Sequence, residues 1–405
     1  MLLSRILRFL FPLTILLTIS SCLFVSPNVG YCDAWTPDYW PTGGWRFSTP
    51  ETQGMLSGHL VAMQDFLYAQ PIQLDSVLII RNGYIVYEDY PTGHTETMRH
   101  VLFSCTKSVA SAVLGIALGQ GYFNGTQDRL LDFFPDRTVA NPDPRKDRIT
   151  VENLLTMKAG IEWDEWSVSY EDGNNPVHGL ISSLDALQFM LDLPMAAEPG
   201  TTWVYNSGVS HLLSCIANAT TGRFTADFAQ EYLFDPLGIM NVFWETDFAG
   251  VNFGGFGLHL TPRDMAKFGY VYLNNGTWDG EQILPTSWIE ASKMVNHTTG
   301  SNSGYGYQWW INPDWGAFSA RGYRGQRIHV LPNENLVVVF TASGSQVHYD
   351  ALIEEYILPA VNEFNPWLAQ PQMVGLALAI FLGIPIVLVS VYVFRRRQTL
   401  SSENI

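Results

Sequence analysis

The chain predicts an α+β fold: one central antiparallel sheet drawn from both ends of the sequence, flanked by helices, with an α-helical lobe inserted between. Three observations carry this. Early, Leu78 to Glu88 reads as a hairpin, because two β-rich runs flank Asn82-Gly83, the strongest short turn signal. In the middle, Ser104 to Gln120 is rich in Ala, Val, Leu and Ile, lacks Pro, and reads as a mostly buried helix; Val151 to Met157 and Ser183 to Leu191 also read as helices. Late, Ile328 to Val330 and Leu336 to Thr341 read as strands around the turn cluster Pro332-Asn333-Glu334-Asn335, and Ala351 to Phe364 as a final helix. Strands, then helices, then strands require a sheet that both ends of the chain complete.

Composition supports a large buried core. Of 405 residues, 47% are hydrophobic and only 15% charged, which argues against long disorder. The formal net charge is −16, and the one basic cluster is Arg395-Arg396-Arg397, so no basic face for nucleic acid is expected. The cysteines are Cys22, Cys32, Cys105 and Cys215; they show no metal-ligand spacing, and either one disulfide or free buried thiols fit them. His178, His211, His259, His329 and His348 show no ligand spacing either, so no metal and no cofactor are expected.

The two ends read as targeting segments. Residues 1–31 have a positive start in Arg5 and Arg8, an apolar run from Phe9 to Ile19, and small residues at Ser20 and Ser21. This is the pattern of a signal peptide or N-terminal membrane segment, and Cys22 is open to lipidation. Met373 to Phe394 carries no charge and is long enough for a transmembrane helix. Arg395-Arg396-Arg397 follows at once, which places residues 395–405 in the cytoplasm and the bulk of the chain outside the cell membrane. Sequons at Asn124, Asn218, Asn275 and Asn296 fit that exposure.

The chemistry centres on Phe103-Ser104-Cys105-Thr106-Lys107. On a helix, positions three apart share a face, so the Lys107 amine can reach the Ser104 hydroxyl. Serine is a poor nucleophile until a base takes its proton, and a buried Lys with a lowered pKa can do so. The helix N-terminus also offers N–H groups to a developing oxyanion.

Other segments extend the pattern: Leu154 to Ile161 (LLTMKAGI), Glu198 to Gly208 (EPGTTWVYNSG), Gly257 to Ala266 (GLHLTPRDMA) and Gly304 to Trp310 (GYGYQWW). With these, Thr49 to Phe364 resembles the penicillin-recognising, β-lactamase-like serine hydrolases, in particular the class C β-lactamase-related esterases and nylon-oligomer hydrolases. The resemblance implies a β-lactamase/transpeptidase-like domain, which we place at residues 32–366. It implies that Tyr205, opening a Y-x-N-like motif, works with Lys107 as phenolic base and acid. Ser207 stands where that motif has Asn. Gly322-Tyr323-Arg324-Gly325-Gln326 looks like the third motif, with Tyr323 at the position of its Lys or His, and Arg324 or Arg321 as possible replacements for the cation. The N–H groups of Ser104 and Gln326 would form the oxyanion hole. Ser207, Tyr323, Arg324, Gly325, Tyr170 and Trp163 would contact substrate, the last two from a loop that also holds Asp164, Glu165 and Trp166.

The expectation is therefore a membrane-tethered extracellular serine hydrolase that cleaves an ester or amide of a small-molecule or peptide acyl substrate. A β-lactamase or D-amino-acid peptidase is the rival within the family. A non-catalytic membrane receptor or adaptor with the same fold is the rival outside it.

Overall fold

A computed structural model describes residues 36–69, 73–300, 303–344 and 348–364. The expected N-terminal segment 1–31, apolar span 373–394 and tail 395–405 lie outside them. Among the described residues no helix is long and apolar enough to cross a membrane.

The early hairpin forms as read. β1 (Leu74–Arg81) and β2 (Tyr84–Asp89) are joined at Asn82 and Gly83, whose φ values of 51° and 80° suit a two-residue turn that needs both positive. β3 (His100–Val101), β4 (Phe243–Trp244) and β5 (Leu258–Leu260) form a small separate sheet in the order β3-β5-β4, and β6 (Thr277–Trp278) and β7 (Glu281–Gln282) a second hairpin. The late strands are β8 (His297–Gly300), β9 (Ser303–Tyr305), β10 (Trp310–Asn312), β11 (Ala317–Arg321), β12 (Arg327–Leu331) and β13 (Leu336–Ala342). The main sheet runs β2-β1-β13-β12-β11-β10-β9-β8, so β1 from the start of the chain pairs antiparallel with β13 from its end.

Alternation along the strands explains why this sheet is covered on both sides. Leu78 and Ile80 of β1, with Val337 and Val339 of β13, enter one hydrophobic core. Val77 and Ile79, with Val338 and Phe340, enter another. Helix α1 (Ser57–Ala69) closes the second core through Leu60, Met63 and Leu67, together with Leu352, Ile353 and Ile357 near the chain's end. The first core is larger. It takes in α2 (Cys105–Gly119), α3 (Ser207–Thr221) and α4 (Pro262–Leu273), and the short helices Val151–Leu155, Pro176–Ser182 and Ala186–Asp192 of the lobe.

Three helix readings are corrected. The helix read from Ser183 starts at Ala186, capped by Asp185, and Ser183 is extended after a separate helix, Pro176–Ser182, that Asn175 caps. The helix from Val151 stops at Leu155, and Met157 turns to φ 58°. The final helix starts at Tyr349 and ends at Asn362, with a π-type turn at Ile353–Ile357 just before Pro359, a residue with no N–H to continue the α ladder. Strands β3 to β11 have no counterpart in the sequence reading, because each is a run of only two to five residues, too short for alternation to mark. Cys105 and Cys215 are free and buried.

Candidate active site

β3 delivers the chain to Ser104. The Leu102 N–H bonds to the Leu258 carbonyl at 2.7 Å, and Phe103 then takes φ 46°, a left-handed turn uncommon for a residue with a bulky side chain. Ser104 follows as the residue that precedes α2. One turn on, Lys107 is 1% exposed. Its Nζ donates to Ser104 Oγ at 3.0 Å, to Ser207 Oγ at 2.9 Å and to the Gly255 carbonyl at 2.8 Å. An ammonium has three N–H donors, and all three are met. Burial lowers the Lys107 pKa to about 8, with the nearby Glu165 charge pulling the other way.

Ser207 opens α3, where the Asn206 side chain caps the helix by accepting from the Val209 N–H at 3.0 Å. Asn206, the middle residue of the motif, is thus a structural cap. The Ser207 hydroxyl donates to Glu165 Oε1 at 2.9 Å and its N–H donates to Oε2 at 2.7 Å. Trp163 Nε1 and the Tyr170 hydroxyl, each at 2.7 Å, complete four bonds to this carboxylate, which is 1% exposed. Glu165 is the site residue that sequence reasoning missed. It stood among five polar or aromatic loop positions, and its partner Ser207 is remote in the chain.

Tyr205 lies on the other flank of Ser104. Its ring stacks on Trp166 at 5.1 Å and 20°, sits 5.8 Å from Trp310, and has Lys107 Nζ 4.9 Å from its centroid. Burial first, and then the Glu165 charge, push its phenol well above the ordinary range, against the opposing effect of the Ser104 side chain. This shift favours the neutral phenol at neutral pH.

Two cavities meet at Ser104. The larger, about 360 Å³, is lined mainly by apolar groups, among them Val101, Phe103, Val177, Ile181, Phe256 and Tyr323, and also by Tyr170, Glu171, His178, Ser207, Glu245 and Arg324. The smaller, about 240 Å³, is lined by Trp166, Tyr170, Tyr205, Trp310, Tyr323, Arg321 and Arg327. Of the residues expected to meet substrate, Tyr170 and Tyr323 line both. Ser207 and Arg324 line the larger, although the Ser207 hydroxyl is already engaged. Trp163 lines neither; it is 8% exposed and supports Glu165, while the exposed ring over the cleft is Trp166. Arg324 turns to φ 57° and faces Glu171 at 3.4 Å. Arg321, still on β11, lines the smaller cavity together with Arg327, whereas Arg324 lines only the larger.

The third-motif segment lies against the nucleophile. A Cβ on Gly322 would come 2.3 Å from the Leu102 carbonyl oxygen, and Gly325 holds φ 104° against the Tyr349 ring, so both positions need glycine. The Gln326 carbonyl accepts from Gly322 N–H at 2.8 Å and from Cys105 Sγ at 3.4 Å, which sets its backbone beside the start of α2. One expectation is narrowed here. The N–H groups of Cys105, Thr106 and Lys107 close onto the carbonyls of Leu102, Phe103 and Ser104, so the first turn does not offer them to an oxyanion.

A sheet built from both chain ends, a helical lobe, and a serine–lysine–tyrosine cluster between them define a class of active-site serine hydrolase folds. The profile of the β-lactamase family matches residues 59–362, and the chain belongs to the β-lactamase family of serine hydrolases. It is 24% identical over 293 residues to a 6-aminohexanoate-dimer hydrolase of Paenarthrobacter ureafaciens, covering 66% of this chain and 72% of that protein. Among solved structures it is similar to EstCE1, a hydrolase with promiscuous acyltransferase activity (TM-score 0.64, 18% identity, 76% of this chain and 99% of that one). It is also similar to an octameric penicillin-binding protein homologue from Pyrococcus abyssi (TM-score 0.61, 19% identity, 77% and 79%).

Proposed function

We propose that the protein hydrolyses an ester or amide through an acyl-enzyme on Ser104. The observation that carries this is the Lys107 amine, buried with its pKa lowered to about 8 and 3.0 Å from Ser104 Oγ. Neutral Lys107 takes the Ser104 proton as the hydroxyl attacks the acyl carbonyl. The N–H groups of Ser104 and Gln326 receive the oxyanion. Tyr205, a neutral phenol, protonates the leaving oxygen or nitrogen, and the proton held by Lys107 restores it. Water then attacks the acyl-enzyme with the same groups in reverse, and Ser104 is regenerated.

The apolar lining of the larger cavity favours an apolar acyl group. Tyr323 at the third-motif cation position argues against efficient β-lactam turnover. Fluorophosphonate labelling, with turnover of a short-chain nitrophenyl ester set against a chromogenic cephalosporin, tests this. Labelling lost in Ser104→Ala and ester turnover well above cephalosporin turnover are expected. A labelled enzyme that turns over cephalosporins efficiently would instead favour the β-lactamase or peptidase reading. One observation favours that second reading: Arg321 and Arg327 on the smaller cavity suit an anionic leaving portion. Absence of any labelling would favour the receptor or adaptor.

The tether is part of the same proposal, supported by the uncharged run 373–394 and the three arginines after it. Protease added to intact cells should release the hydrolase domain. A domain that resists while the tail is cut would reverse the orientation.

A further inference from the structure

Away from the Ser104 site, the structure gathers three metal-ligating side chains that no linear spacing announces. Asp75 is on β1, His94 in the loop after β2, and His100 on β3. One ligand atom from each lies within 4.8 Å of the others. Asp75 is 1% exposed, and among the described residues its ion-pair partners are these two imidazoles: His94 Nδ1 at 3.3 Å from Oδ1 and His100 Nδ1 at 3.8 Å from Oδ2. The two rings lie 4.6 Å apart at 38°.

His100 is the anomaly. It is 8% exposed, its Nε2 has no hydrogen-bond partner, and 3.8 Å is too long for Nδ1 to bond Asp75. An imidazole with one buried nitrogen unpartnered and the other facing a buried carboxylate, beside a second imidazole, makes with them a donor set for a metal ion.

We infer that Asp75, His94 and His100 bind one divalent transition-metal ion of the zinc class. Two imidazoles and a carboxylate are a zinc donor set, and three protein ligands leave a fourth position for water. Ligand distances of about 2 Å require the three groups to close by only a small shift from their present spacing. The surroundings suit such a centre. The Thr92 hydroxyl donates to Asp75 Oδ1 at 2.6 Å and lies 3.0 Å from His94 Nδ1, and Ser343 donates to the same Asp75 oxygen at 3.3 Å, so hydroxyls already orient the carboxylate. The His94 side chain is 35% exposed, which gives the ion a way in. The ion would join the main sheet at β1 to the small sheet at β3, the strand that runs into Phe103 and Ser104. Its role is a clip that fixes the approach to the nucleophile, not a participant in acyl transfer.

The test uses the full chain, stripped with a chelator and dialysed. Titration with zinc chloride should show one equivalent bound, and cobalt(II) should give the visible absorption of a low-coordinate nitrogen–oxygen site. Zinc should raise Tm. His94→Ala removes a half-exposed ligand and should fold; it should lose zinc affinity by at least ~10²-fold, the upper range for disturbing even an outer partner of a metal site. Asp75→Asn should do the same, and neither variant should show the Tm rise. No stoichiometric uptake by the wild-type protein would overturn the inference. So would undiminished zinc binding and Tm rise in folded His94→Ala, which would place the ion on other groups.

Discussion

Ser104 stands between two unlike walls. On one side Lys107, Ser207 and Glu165 form a continuous chain of short, buried polar bonds. On the other, Tyr205 is held by ring contacts with Trp166, Trp310 and Tyr305. In the polar wall burial brings the Lys107 pKa down to about 8, against the pull of Glu165. The aromatic wall drives a phenol up. Both shifts begin with burial, and they differ in sign because burial disfavours whichever form is charged. The lesson is a division by charge: the same loss of water favours the neutral form of both groups, the free amine of Lys107 and the phenol of Tyr205.

Breaking the polar wall should have the larger effect. Ser104→Ala should abolish labelling and turnover, and Lys107→Ala should cost nearly as much, since groups acting as a unit do not contribute additively. Removing the acid from the other wall comes next. Tyr205→Phe keeps the ring packing and should lower kcat by roughly 10²–10⁴, the usual worth of a positioned acid–base group, with Tm unchanged. Full activity in that variant would erase the division.

The pH profile sharpens the comparison. Lys107 is an effective base only when neutral, so kcat/KM should rise roughly tenfold per pH unit up to about pH 8 and level off above it. Glu165 holds the Lys107 pKa up, so Glu165→Gln should move this limb to lower pH. It should also destabilise the fold by about 1–3 kcal/mol, because buried donors lose an acceptor. A limb that stays in place would show that Glu165 does not act on Lys107. The smallest effect is expected at Trp166→Ala, which removes an exposed ring stacked on Tyr205. A loss of about 0.5–1.5 kcal/mol in kcat/KM, expressed mainly in KM, is the scale of one aromatic pair.

What the sequence revealed follows the range of each interaction. Ser104 and Lys107 were legible because their contact lies within one helical turn. The hairpin at Asn82-Gly83 was legible for the same local reason. Glu165 was not, since nothing in the loop marks which acid turns inward to meet Ser207. The loop also hid which tryptophan faces the cleft: Trp163 goes under and Trp166 over. Arg321 and Arg324 could not be separated by strand alternation because only Arg321 is on a strand; Arg324 sits in a left-handed turn beyond it.

The pairing of β1 with β13 has a kinetic consequence. The β1–β13 seam of the main sheet cannot close until β13 has been made, since its two strands lie near opposite ends of the described residues. Such a non-local pairing has a large loop-closure entropy and a high contact order, so folding should be slow and late. Until then β1 presents an apolar edge with no neighbour on that side, the condition under which nascent chains depend on chaperones. The same topology sets β13 inside the sheet: it lies between β1 and β12, so it cannot leave without parting the early hairpin from the rest of the sheet.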